Sequence, residues 1–141
     1  MDTLSAKDRN LLDAAEAARP KAYAPYSFFH VGAAVRTRKG DVYAGCNVEN
    51  ISYPVGICAE RNAIAAAVLA EGSKMEIAAI AVAAYGKDGQ SVGITPCGAC
   101  RQAIMEFGQQ ARVIFTGNKG ELRIESIDKL LPDSFTFQSL T

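Results

Sequence analysis

The stretch Ile77-Ala78-Ala79-Ile80-Ala81-Val82-Ala83-Ala84 is apolar at every position. A strand with one wet face alternates apolar and polar residues, whereas a strand covered on both faces reads as one continuous apolar run. Even extended to Tyr85, the run is too short to span a bilayer. It therefore predicts the centre of a layered α/β sheet. Helices flank it in the chain. Cys58 to Glu71 is helical, with an alanine-rich body (Ala63, Ala65, Ala66, Ala67) suited to close packing and Gly72 as its stop. On the other side Pro96 suits the first turn of a helix running to about Phe107, with Gly108 after it.

Farther out, Val31 to Arg38 and Val42 to Asn47 read as strands. Lys39-Gly40-Asp41 between them is turn chemistry, so they form an antiparallel hairpin. Arg112 to Thr116 and Glu121 to Glu125 surround Gly117-Asn118-Lys119-Gly120. So short a link forces an antiparallel pair, because a parallel crossover needs about a dozen residues or more. Ser5 followed by Asp8 marks a helix start, and Leu4, Leu11, Leu12, Ala15 and Ala18 recur at helical spacing until Pro20 ends or bends it. Ser126 caps a short last helix before Pro132, and the tail holds Phe135 and Phe137. Tyr23 to His30, Asn50 to Ile57 and Tyr85 to Thr95 read as loops. The order α-β-β-α-β-α-β-β-α predicts a three-layer α/β/α fold. Its five-stranded mixed sheet has an antiparallel last pair and lies in a single domain over residues 1–141.

The chain has 141 residues, 49% of them hydrophobic, enough for one buried core. Fifteen basic and fifteen acidic residues cancel. Zero net charge gives no general attraction to nucleic acid or to an anionic membrane, which points to a small, uncharged substrate. Met1 to Asp8 lacks a basic-then-apolar leader pattern. The four cysteines cluster in a metal-like pattern rather than a secreted disulfide framework. These features predict a soluble cytoplasmic protein.

The chemistry concentrates in two short runs, Cys58-Ala59-Glu60-Arg61 and Pro96-Cys97-Gly98-Ala99-Cys100-Arg101-Gln102. A lone Cys-x-x-Cys is compatible with a redox dithiol, half a structural zinc site, or chance. With Cys58 added, three thiolates can hold one zinc ion and leave a fourth position open, the catalytic arrangement. A structural site would need a fourth ligand, for which Cys46 and His30 are the candidates. Both runs open helices, whose N-termini lower thiolate pKa. Three thiolates over-neutralise Zn²⁺, and Arg61 can reach back to the Cys58 or Cys97 sulfur to offset the excess. Glu60 is common first-turn chemistry by itself; beside a metal ligand it can move protons on water.

These residues resemble the zinc-dependent cytidine deaminases in their small homotetrameric form, the three-cysteine nucleoside branch. The resemblance runs from about Tyr23 to Phe135. It rests on Tyr26-Ser27, Val31-Gly32-Ala33-Ala34, Gly45-Cys46-Asn47-Val48-Glu49-Asn50, the two cysteine runs, and Leu130-Leu131-Pro132. It implies hydrolysis of cytidine and deoxycytidine to uridine and deoxyuridine plus ammonia, in pyrimidine salvage. Cys58, Cys97 and Cys100 would hold one zinc per subunit, and Glu60 would shuttle protons as zinc-bound hydroxide attacks C4. The same resemblance implies that Asn47 and Glu49 bind the sugar, that Phe29 packs on the base, and that Ala59 contacts substrate. Tyr53 and Phe135 would reach a neighbour's active site in a homotetramer. His30 departs from the family by standing where proline is common.

Other readings of the same residues are a polynucleotide deaminase, a deaminase of a cytosine-containing antibiotic, a structural zinc protein and a dithiol redox protein. Zero charge and the antiparallel last pair speak against the first. Asn47 and Glu49 favour ordinary nucleosides over the second. The third would need Cys46 or His30 to close the site, and the fourth leaves Cys58 without a role.

Overall fold

The computed structural model of the chain describes residues 4–136; Phe137 lies outside them. Ser5 accepts the Asp8 N–H at 3.1 Å and starts helix α1 (Ala6–Ala18). A 3-10 turn over Arg19–Lys21, carrying Pro20, ends it. Strands β1 (His30–Thr37) and β2 (Val42–Cys46) form the expected antiparallel hairpin. Helix α2 (Ala59–Glu71), strand β3 (Ile77–Tyr85), strand β4 (Ser91–Val92) and helix α3 (Gly98–Phe107) follow. Strands β5 (Arg112–Thr116) and β6 (Leu122–Ser126) and helix α4 (Ile127–Leu130) complete the order.

The sheet runs β2-β1-β3-β5-β6 and is mixed. β3 pairs β1 antiparallel and β5 parallel, and β5 pairs β6 antiparallel. The parallel pair follows from connection length, since the segment between β3 and β5 contains α3 and is long enough for a crossover. β4 is a sixth strand inside the segment read as loop. It pairs Ala84 with Val92 and Tyr85 with Ser91, beyond the end of β5. Two residues carry too little pattern to announce themselves.

Alternation on β3 sorts the core. Ala79, Ala81 and Ala83 pack under Leu11, Leu12 and Ala15 of α1. Ile80, Val82 and Ala84 face the other way, toward Ala63, Ile64 and Ala67 of α2, Ile104 of α3 and Ile127 of α4. Helices thus cover both faces, and the run is apolar throughout because neither side of β3 meets water. Small residues set the spacing. A Cβ at Gly32 would lie 2.0 Å from the Ala15 carbonyl oxygen, and one at Gly45 would lie 2.4 Å from the Ala63 nitrogen. Both helices rest on the β hairpin at backbone distance.

Several details differ from the sequence reading. Cys58 and Cys97 are N-cap residues rather than first helical residues, so Pro96 precedes α3 instead of sitting in its first turn. Ser126 occupies the N-cap position of α4, yet its hydroxyl makes no cap bond and donates to the Asp128 carboxylate. Pro54 lies in a 3-10 turn over Tyr53–Val55 within the predicted loop.

Asp8 ties three elements together. Its buried carboxylate accepts Arg112 Nη1 and Nη2, each at 2.8 Å, and Arg36 Nη2 at 3.1 Å. The Arg112 hydrogen bonds, followed by those from Arg36, overcome the cost of burial and hold its pKa at about 2, against an ordinary 3.8. A depressed carboxylate stabilises the fold above its unfolded pKa, and that stability is lost as pH falls through the folded value. Asp8→Asn is expected to lower stability by about 2 kcal/mol at neutral pH. Chemical denaturation of the two proteins should show this gap closing between about pH 4 and pH 2; a gap independent of pH would remove the charge on Asp8 as its source.

Candidate active site

Two helix N-termini meet at one point. Val48 and Ile57 exchange backbone hydrogen bonds at 3.0 and 2.9 Å, closing the excursion between them and delivering Cys58 beside the end of β2. Asn62 Nδ2 donates to the Cys46 carbonyl at 2.8 Å and pins the first turns of α2 to the same strand. On the other helix Arg101 donates to the Pro96 carbonyl at 2.8 Å and to the Leu130 carbonyl at 2.7 Å. That fixes the segment carrying Cys97 against α4.

The Cys58, Cys97 and Cys100 sulfurs consequently lie within 4.8 Å of one another. Cys100 is buried, Cys58 half-buried and Cys97 exposed. Cys46 and His30, the two candidates for a fourth ligand, do not join this cluster. His30 instead stacks on Tyr85 with ring centroids 4.9 Å apart. The Cys58 thiol is pulled down to about 5 by hydrogen bonding with Cys100 and then with Arg61, against the opposing effect of burial. The Cys100 thiol is pushed up by its hydrogen bond with Cys58 and by burial.

Arg61 Nη2 lies 3.8 Å from the Cys58 sulfur, the contact expected of it. Its Nε is buried without a hydrogen-bond partner among the described residues. A buried cationic group left partly unpaired is costly unless negative charge sits close by. Glu60, in the first turn of α2, is only 3% exposed. Burial, and next the charge on Cys58, raises its carboxyl to about 7. That range lets one group both take and return a proton near neutrality.

A cavity of about 520 Å³ opens above these residues, within the usual size for a small-molecule site. Cys58, Ala59, Glu60 and Cys97 line it, and so do Phe29, Asn47, Glu49 and Tyr53. Phe135 does not line it; it is 70% exposed, and its carbonyl accepts Gln102 Nε2 at 3.1 Å. Sequence reasoning assigned no role to Ser27, Ile94 or Thr95, which also line the cavity. Ser27 lay within the Tyr26-Ser27 motif, but nothing local signalled its partners. Among the described residues, no lysine, arginine or histidine lines it.

Residues 5–116 match the family described as "Cytidine and deoxycytidylate deaminase zinc-binding region". The chain belongs to this family. It is 40% identical over 132 residues to cytidine deaminase of Sporosarcina psychrophila, covering 93% of each chain. The solved structure of cytidine deaminase from Burkholderia pseudomallei superposes with a TM-score of 0.80 at 47% identity, covering 94% of this chain and 100% of that one. The structure of cytidine deaminase from Mycobacterium tuberculosis gives a TM-score of 0.79 at 34% identity, with coverage of 94% and 100%.

The protein is accordingly a zinc-dependent hydrolytic deaminase. Its donor set fits the ion: three thiols converge, one already acidic, with an incompletely paired guanidinium beside them. Removing a ligand should cost more than the 10–100-fold typical of removing a ligand's support. Cys97→Ala is therefore expected to bind zinc more than about 100-fold more weakly. Metal analysis after dialysis checks this, and full occupancy in the variant would strike Cys97 from the ligand set.

Proposed function

We propose that this deaminase converts cytidine and deoxycytidine to uridine and deoxyuridine, releasing ammonia, as a cytoplasmic enzyme of pyrimidine salvage. The observation that carries the reading is the buried Glu60 carboxyl set at the head of α2, directly beside the converging sulfurs of Cys58, Cys97 and Cys100. The relatives' activity on cytidine supports the substrate. So does a cavity in which no cation lies among the described lining residues of this chain.

In this reading Cys58, Cys97 and Cys100 hold zinc, which supplies a nucleophile near neutral pH by acidifying water. Glu60 takes a proton from the attacking water and delivers it to N3 of the pyrimidine as the oxygen bonds to C4. It then carries the remaining hydroxyl proton to the amine, the C4–N bond breaks and ammonia leaves. A carboxyl near pKa 7 suits both directions. Arg61 balances thiolate charge from its place 3.8 Å from Cys58. Phe29 packs on the base, Ala59 contacts it, and Asn47 and Glu49 meet the sugar hydroxyls.

The chain works as a single deaminase domain that assembles into a homotetramer with shared active sites. Tyr53 is 75% exposed and Phe135 70% exposed, aromatic surface suited to burial against a neighbour. Tyr53 also lines the cavity of its own chain, beside Tyr26 at 6.2 Å between ring centroids.

Purified protein mixed with cytidine should shift the ultraviolet spectrum toward uridine, and a chelator should abolish the shift. No shift with zinc-loaded protein ends the reading. Glu60→Gln is expected to keep zinc content and melting temperature while turnover falls by about 10²–10⁴-fold or more; wild-type rates would exclude the shuttle. Phe135→Ala should raise KM or lower kcat if the pocket is shared, and unchanged kinetics would remove Phe135 from it.

A further inference from the structure

Among the residues that line the cavity, Ser27, Asn47 and Glu49 hold backbone with their side chains. Asn47 Oδ1 accepts the Val31 N–H at 2.9 Å, and its Nδ2 donates to the Phe29 carbonyl at 2.9 Å. Glu49 Oε1 accepts the N–H groups of Tyr26 and Ser27 at 3.0 and 3.2 Å. The Ser27 hydroxyl donates to Glu49 Oε2 and accepts the Phe29 N–H at 3.0 Å. Both backbone polar groups of Phe29 are thus held by side chains. Between Ser27 and Phe29 the chain passes through Phe28 at φ +59°, a left-handed conformation that a bulky residue rarely adopts. Strain of this kind persists where surrounding contacts over-determine it, and it gathers at ligand sites.

The hydroxyl of Ser27 has one hydrogen. The Phe29 N–H occupies its acceptor side, so the hydrogen is directed at Glu49. A carboxylate offers about four lone-pair sites. Three are taken here, all by residues 26 and 27. One acceptor site remains, and its direction is set by the other three. The Ser27 bond is also the foremost cause that holds the Glu49 carboxyl below its ordinary range.

We propose that Ser27 is a specificity-determining positioning residue: its hydroxyl, oriented by the Phe29 N–H, aims the last acceptor site of Glu49 at a hydroxyl of the substrate's sugar. The inference rests on the reading of Glu49 as a sugar contact. In this proposal Ser27 acts through Glu49 and not on the base or the reacting atoms. Its loss should therefore be felt by sugars that carry the hydroxyl and not by those that lack it.

The test is the ratio of kcat/KM for cytidine to that for 2′,3′-dideoxycytidine, in zinc-loaded protein. Ser27→Ala is expected to lower the ratio at least about tenfold, through a raised KM for cytidine, with kcat for both substrates within about threefold. Ser27→Thr, which keeps the hydroxyl, should restore it. General loosening of the fold would depress both substrates together and leave the ratio alone, which would overturn the proposal. Glu49→Gln separates this failure from that of the underlying reading. If neither variant moves the ratio, Glu49 does not read the sugar; if only Glu49→Gln moves it, the role of Ser27 alone is refuted. The double variant should be no lower than Glu49→Gln, and a multiplicative loss would mean that Ser27 acts independently. Should melting show Ser27→Ala unfolded, Ser27→Cys, with its weaker donor, should give an intermediate ratio; a wild-type ratio there would equally refute the proposal.

Discussion

Three sulfurs within 4.8 Å are an arrangement that an unsupported chain would not keep. Thiolates repel one another, and each brings a desolvation cost as it is enclosed. What holds them together is the meeting of two helix N-termini, where free N–H groups and the helix dipoles favour negative charge. That meeting depends in turn on how closely α2 lies on the hairpin, which Gly45 permits by having no side chain facing Ala63. The bonds of Asn62 to Cys46 and of Arg101 to Pro96 and Leu130 then fix each helix start to a different part of the frame. A shift of either helix along the sheet would separate sulfurs that lie 39 positions apart in the chain.

The same junction sets the electrostatics. Arg61 brings positive charge to the sulfurs from the helix that supplies Cys58, at the cost of a buried Nε without a partner among the described residues. Glu60, one residue before it, is buried among apolar groups and beside thiolate charge, so its proton is held more tightly than on a surface carboxyl. Adjacent residues on one helix turn thus carry opposite charge into the site for different purposes. Asp8 on the other face of the sheet shows the contrasting case. Two guanidinium partners pull its pKa down and make it a fixed anion that clamps α1 to β1 and β5.

Much of this was legible in the chain. The apolar run of β3 announced cover on both faces, and the short links at Lys39 to Asp41 and Gly117 to Gly120 fixed two antiparallel pairs. Cysteine spacing singled out the three sulfurs, and the exclusion of Cys46 and His30 from the cluster keeps them a set of three among the described residues. What local sequence could not show was β4, too short to carry a pattern, and the orientation of the Ser126 hydroxyl, which donates to the Asp128 carboxylate and makes no cap bond to α4. The partners of Asp8 were also hidden, because Arg36 and Arg112 come from strands distant in the chain.

Residue types and periodicity determined the elements, their order and the chemistry of the donors, since helix caps, strand alternation and metal affinity are properties of a residue and its near neighbours. Tertiary structure decided everything that depends on distance between remote segments. It set how far Glu60 is buried, which guanidinium reaches which acid, and how Ser27, Asn47 and Glu49 share the backbone of one loop. The physical reason is that desolvation and hydrogen-bond direction belong to a place in three dimensions. That place exists only once the sheet has brought its strands into register.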